Sequence, residues 1–211
     1  LIFNRKLLSP QEIRDKILDP ASSFQSQLIS FLESVRIGEF LTGSHAYVKE
    51  TVALQSKSNI NYISPERTLP TPPPPYCDCG ITDCHKCSTF QHWFEEFKCT
   101  VDDLLLKSNV HDCFRGISPD GSKCKARFPR ECFQQTSVDP DNGHIDLKKL
   151  EEWLNDISPG LTYLVRGNTD VTSILSGTAI KSAVIYIADY ITKTGLKTHV
   201  VFDSIKTIFD K

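Results

Sequence analysis

Apolar residues recur at helical spacing in several separate stretches of this chain. Ser9-Pro10-Gln11-Glu12 has the form of a helix start, with Ser9 as N-cap, Pro10 at the first helical position and Glu12 placed to close a capping box. The pattern predicts a short helix to about Leu18, a break at Asp19-Pro20, and an amphipathic helix through Phe24, Leu28, Phe31, Leu32 and Val35. From about Ser56 to Pro75 the periodicity dissolves. Thr71 followed by Pro72 to Pro75 reads as a polyproline-II-type spacer rather than a packed element. Helical periodicity returns from about Thr89 to Lys107 (Phe90, Trp93, Phe94, Phe97, Val101, Leu104, Leu105) and again over 145–157. Leu161-Thr162-Tyr163-Leu164-Val165 is the best strand candidate, and a last helix is expected from near Thr178. No internal repeat is present.

That last helix carries Tyr186 and Tyr190 four residues apart, with Lys193 one turn beyond. Residues four apart share a helix face, so one face presents two phenols and an ammonium together. Tyrosine is a real, if uncommon, nucleophile, and paired tyrosines suit covalent chemistry on a DNA phosphodiester. The plainer reading is packing at a core edge with the hydroxyls wet, since Ile180, Val184, Ile187 and Ile191 run through the same segment.

Composition narrows the classes. At 211 residues with 39% apolar and 24% charged content, the chain suits one substantial core or two small ones. No apolar run approaches a membrane span, and the first residues lack the basic-then-apolar pattern of a signal peptide. The net charge of −2 argues against a stand-alone nucleic-acid binder, which normally carries a basic excess.

Cysteine usage points to metal. Cys77, Cys79, Cys84 and Cys87 fall within eleven residues, directly after the proline run. Disulfides in so tight a loop would be strained, whereas tetrahedral thiolate coordination of Zn²⁺ tolerates the spacing and needs no large core. His85 or His92 can replace one of the cysteines as ligand. A looser second group is His111, Cys113 and Cys124, with Cys132 further on. Unligated thiols are the plain alternative for both groups, and Cys99, inside a helical apolar pattern, reads as a small buried residue. Around Cys124 the chain turns basic. Lys123, Lys125, Arg127 and Arg130 surround Phe128, a composition suited to gripping phosphates while a ring stacks on a base, or equally to a solvated charged loop.

Several of these segments together resemble a known family. CKARFPRE (from Cys124), SVDPDNGHIDLKKLEEWLND (from Ser137) and the stretch from Thr162 to the end, with RGNTDVTSILSG and a YxxxYxxK ending, look like the replication-initiator (Rep) segment of fungal Helitron transposon proteins. LSPQEIRDKILDP and TVDDLLLKSNVHDC are similar to the same family. The resemblance implies an HUH-class single-strand DNA endonuclease, in which two histidines flanking one apolar residue hold Mg²⁺ or Mn²⁺ and tyrosine attacks the phosphate. By position Tyr186 and Tyr190 match the nucleophiles, and Lys193 matches the lysine that follows them. No two of the six histidines here are separated by a single residue, so the metal motif is absent from the chain. In the family it lies just upstream of the segment that LIFNRKLLSPQEIRDK resembles, and a helicase half lies downstream.

The expected architecture is α+β and predominantly helical: an incomplete HUH-endonuclease-like fold with a few short strands and a small Cys-rich zinc-binding insertion. The expected boundaries are a helical segment 1–55, a Pro-rich linker 56–76, a Cys/His-rich region 77–132 and a tyrosine-helix part 133–211. The resemblance implies single-stranded DNA at transposon ends as partner of the intact protein, nuclear localisation and no membrane. The expected function is a fragment of a rolling-circle transposase that does not cut DNA alone; the alternative is a non-catalytic relic or a zinc-stabilised DNA-binding or interaction module.

Overall fold

A computed structural model describes residues 8–19, 21–77, 79–80, 83–112, 124, 126–172, 181, 184–185 and 187–188. It is mostly helical, with one small two-stranded sheet. The chain divides into two compact units, residues 1–15 with 173–211, and residues 16–172.

Helix α1 (Pro10–Leu18) starts as its sequence directs: the Ser9 N–H donates to Glu12 Oε2 at 2.7 Å and the Glu12 N–H to Ser9 Oγ at 3.2 Å, a closed capping box. In the tyrosine-bearing segment Lys181, Val184, Ile185, Ile187 and Ala188 are helical and exposed. Tyr186, Tyr190 and Lys193 lie outside the described residues.

In the larger unit, α2 (Phe24–Val35) follows the predicted span. Helix α3 (His45–Ser58) falls mostly within the expected helical segment 1–55, although the apolar pattern places no individual helix there, and its last three residues enter the expected linker. Its apolar positions are sparse, with Val48 the buried one, and it is located by its cap: Ser44 Oγ accepts from the Tyr47 N–H at 3.3 Å. Helix α4 (His85–Leu104) starts four residues earlier than expected and passes into a π-helical turn, Leu105–Asn109, where the Val110 N–H reaches back to the Leu105 carbonyl at 3.0 Å. The core gathers Phe40, Val48, Val101, Leu105, Leu154, Ile157 and Tyr163.

Three expectations are overturned. Residues 145–157 are not helical. Strands β1 (Ser137–Val138) and β2 (Ile145–Asp146) pair antiparallel, and beyond them Lys149, Leu154 and Ile157 form single bridges to Phe133, Val110 and Ile37. Long-range partners satisfy the backbone there, and the turn Asp139 to His144 is closed by Asp139 and Asn142 side chains accepting from the Asp141 and His144 N–H groups. The buried Lys149 ammonium donates to the Leu154 carbonyl at 2.7 Å and to Asp156 at 2.9 Å, while Asp156 also holds Arg36 at 2.5 Å. Gly38 passes so close that an added Cβ would stand 2.8 Å from Lys149 Cγ.

The strand expected at 161–165 is a helix, α5 (Pro159–Val165), with Ser158 as N-cap residue and proline in the first turn. Its β-prone composition yields to packing: Thr162 and Tyr163 are buried, with Tyr163 against Trp93 and Phe97 of α4. Cys99, expected inside, is exposed.

Asp102 joins α4 to the loop before α3. It is 1% exposed, and its carboxylate accepts from the Leu41 N–H at 2.7 Å, the Thr42 N–H at 2.8 Å and the Thr42 hydroxyl at 2.5 Å. Burial holds its carboxyl above the ordinary range despite those bonds. Asp102→Ala leaves these donors without their acceptor and is expected to lower the unfolding free energy by about 2 kcal/mol, read from the urea midpoint. Because the folded-state value is raised, the native state takes up the proton first. The difference between wild type and variant is therefore greatest below about pH 3.9 and narrows as pH rises through the raised value.

Candidate metal centre

The metal site is built by a turn feeding a helix. Gly80 at φ 65° and Asp83 at φ 61° take left-handed conformations between Cys79 and Cys84, and Cys84 is the N-cap residue of α4. The Ser88 N–H donates to the Cys84 carbonyl at 3.0 Å, so Cys84 and Cys87 sit on the opening turn of the helix and face Cys77 and Cys79.

The four sulfurs lie within 4.8 Å of one another. Cys77 Sγ and Cys84 Sγ are 3.9 Å apart, and Cys79 Sγ and Cys87 Sγ are 3.7 Å apart. Both separations far exceed a disulfide bond of about 2.0 Å, and both match the edge of about 3.8 Å that a sulfur tetrahedron takes around Zn²⁺ at about 2.3 Å. Among the described residues this is the one such group of three or more ligand side chains. The four cysteines thus form a site that can hold a metal, with a donor set consistent with zinc. His85 and His92 do not complete it: His85 Nδ1 faces the Thr89 hydroxyl at 3.4 Å, and His92 faces Glu96 at 3.4 Å.

Crowding of the thiols separates their acidities. Hydrogen bonds that the Cys77 thiol donates to the Cys87 and Cys79 sulfurs favour its protonated form and push Cys77 up to about 12. Backbone N–H groups at the helix start, that of Cys87 first, bring Cys84 down to about 7. The thiol of Cys87 reaches the Cys77 carbonyl at 3.3 Å.

The proline run before this site is tied down. The Thr71 carbonyl accepts from Trp93 Nε1 at 3.1 Å and from the Tyr163 hydroxyl at 3.0 Å. Pro70, Pro72 and Pro73 border an apolar hollow with Trp93, Phe97 and Leu164. Tyr76, next to Cys77, meets Phe90 edge-on at 5.1 Å, which carries the aromatic row of α4 up to the metal site.

The second sequence-predicted group comes together in part. Cys124 Sγ lies 3.1 Å from His111 Nε2; Cys113, Lys123 and Lys125 lie outside the described residues. The ring expected to stack on a base is already engaged, since Phe128 is buried and stacks on His111 at 4.2 Å and 7°. Arg130 lies over the same ring at 4.6 Å, and Arg127 is exposed. Sequence reasoning missed Arg166, at the end of α5. Its guanidinium stacks on Tyr163 at 4.3 Å, and among the described residues no ion pair engages it. The only signal for it in the sequence was its place at the head of RGNTDVTSILSG.

Among the described residues no helix is long and apolar enough to cross a membrane. Comparisons with protein-family models, curated proteins and solved structures yield no match.

The purified folded chain is expected to carry one zinc ion at Cys77, Cys79, Cys84 and Cys87, measured by native mass spectrometry; a folded chain without zinc removes the assignment. Cys77 and Cys87 both titrate above the ordinary thiol range, so zinc binding to metal-free chain displaces their protons at neutral pH. Affinity for zinc therefore rises with pH, and acid or chelator releases it.

Proposed function

We propose that this chain is a zinc-stabilised, DNA-holding part of a rolling-circle transposase of the Helitron type, and that it does not cut DNA by itself. The observation that carries this reading is the gathering of the four thiol sulfurs at tetrahedral distances, in a chain whose other segments resemble the Rep family. Such a centre gives a compact fold to a region with few core residues of its own. In this reading Arg127 and Arg130 hold phosphates. In the intact domain Tyr186 or Tyr190 attacks the scissile phosphorus, the phosphotyrosine bond forms as the 3′-oxygen leaves, and the Lys193 ammonium offsets the charge on the reacting oxygens. A divalent ion on the family's histidine pair supplies Lewis-acid activation there, and no such pair is present in this sequence.

A second reading, a non-catalytic zinc-stabilised interaction module, is favoured by one observation: Phe128 is occupied by His111 and Trp153 rather than free for a base.

Two measurements test the proposal. Single-stranded oligonucleotide binding, followed by fluorescence anisotropy, is expected to weaken with added salt, and Arg127→Ala with Arg130→Ala to weaken it further while reducing the slope of log K against log salt by about 0.7 per lost contact. Incubation of the chain with oligonucleotide and Mn²⁺ is expected to give no covalent adduct on a denaturing gel. An adduct that persisted in Tyr186→Phe with Tyr190→Phe would sink the tyrosine assignment.

A further inference from the structure

A cavity of about 460 Å³ opens between α4, α5 and the chain that follows α3. It falls in the size range of small-ligand sites. Its walls differ in chemistry: Trp93 and Tyr163 give one aromatic side, Arg166 a cation, and Glu96 and Asp103 carboxylates.

Arg166 is the unusual member. Its Nε atom is buried and has no hydrogen-bond partner, and among the described residues no carboxylate pairs with its guanidinium. Three other cations held against this unit's interior have anionic partners: Lys107 is on Asp103 at 2.7 Å, Lys149 on Asp156 at 2.9 Å and Arg36 on Asp156 at 2.5 Å. A partly buried guanidinium lacking an acceptor is poised for an anion. Its backbone also takes the left-handed conformation, φ 58° and ψ 31°, although Gly167 stands next to it and would accept that conformation without strain. The aromatic wall is held in place beforehand, because Trp93 Nε1 and the Tyr163 hydroxyl are both bonded to Thr71.

We infer that this cleft binds one nucleotide of a single-stranded DNA, with its phosphate on the Arg166 guanidinium and its base against the half-buried Trp93 ring, Tyr163 being buried beneath Arg166 as a support. The inference rests on the DNA-holding reading above and gives that reading a site away from the Arg127–Arg130 loop. Guanidinium and phosphate match as a two-point hydrogen-bonding pair. The exposed Glu96 carboxylate repels phosphate and accepts from base N–H groups, which sets the nucleotide's direction in the cleft, while Asp103 is already taken by Lys107 and the Tyr62 hydroxyl. Stacking on a fixed aromatic wall tolerates any base, so the site reads single-strandedness rather than sequence.

The test uses the zinc-loaded full chain and a fluorescently labelled oligothymidine, titrated at several salt concentrations. Arg166→Gln is expected to weaken binding roughly tenfold and to lower the salt slope by about 0.7, while Arg166→Lys keeps the slope. Loss of a merely structural arginine would not lower the slope by that single-contact increment. An oligomer carrying 5-iodouracil, irradiated on the wild-type chain, is expected to crosslink to the peptide containing Trp93. Binding by the wild type with an unchanged slope in Arg166→Gln, or crosslinks confined to other peptides, overturns the cleft and leaves the DNA-holding reading standing. Failure of the wild type to bind the oligomer overturns both. If Arg166→Gln does not fold, judged by circular dichroism, the wild-type crosslink decides the question.

Discussion

The larger unit depends on a charged side chain taken out of water. Lys149 is 5% exposed, and its ammonium spans the Leu154 carbonyl and Asp156, which in turn holds Arg36. An ammonium at that depth is tolerable only with its partners in place, so the network demands that the chain after β2 stay extended enough to wrap round it. Three features of the fold follow from that demand. Gly38 has no side chain where Lys149 passes, Ile37 and Ile157 exchange backbone hydrogen bonds at 2.8 and 2.9 Å, and Leu154 and Ile157 are directed into the core.

The cysteine site and the proline run are ordered by different means. The cysteines sit where little apolar surface is available, and thiolate coordination suits such a place because a metal needs four donors and hardly any core. The proline run has few backbone N–H groups with which to join secondary structure, so Thr71 acts as its anchor: one carbonyl serves both Trp93 and Tyr163. The same two bonds fix the rings that line the Arg166 cleft. Anchoring the run and shaping the cleft are thus one interaction seen from its two sides.

Where local chemistry was strong, the sequence could be read. The capping box at Ser9 and Glu12, the apolar stripe of α2, the long aromatic stripe of α4 and the close spacing of the four cysteines each act over a few residues, and each is found in the structure. Where contacts distant in sequence decided the outcome, the reading failed. The spacing of Ile145, Leu147, Leu150, Leu154 and Ile157 imitates a helix, yet the backbone there is claimed by Phe133, Val110 and Ile37. Leu161 to Val165 has strand-like composition but sits behind Ser158-Pro159 and offers Tyr163 to α4. Phe128 looked free beside its arginines because nothing nearby in sequence shows His111 coming to lie on its ring.

The sequence by itself determined the mostly helical character, the helix starts that carry their own caps, and the four thiols able to share a metal. These depend on neighbours within about one or two helical turns, so the order of residues is enough to state them. Tertiary structure alone decided that residues 145–157 are non-helical, that 159–165 is helical, that Thr71 secures the proline run and that no described carboxylate pairs with Arg166. Burial and pairing between residues distant in the chain set these outcomes, as in Thr71 with Trp93, Val110 with Leu154 or Ile37 with Ile157. Such long-range terms outweigh the few tenths of a kcal/mol by which local propensity distinguishes one element from another.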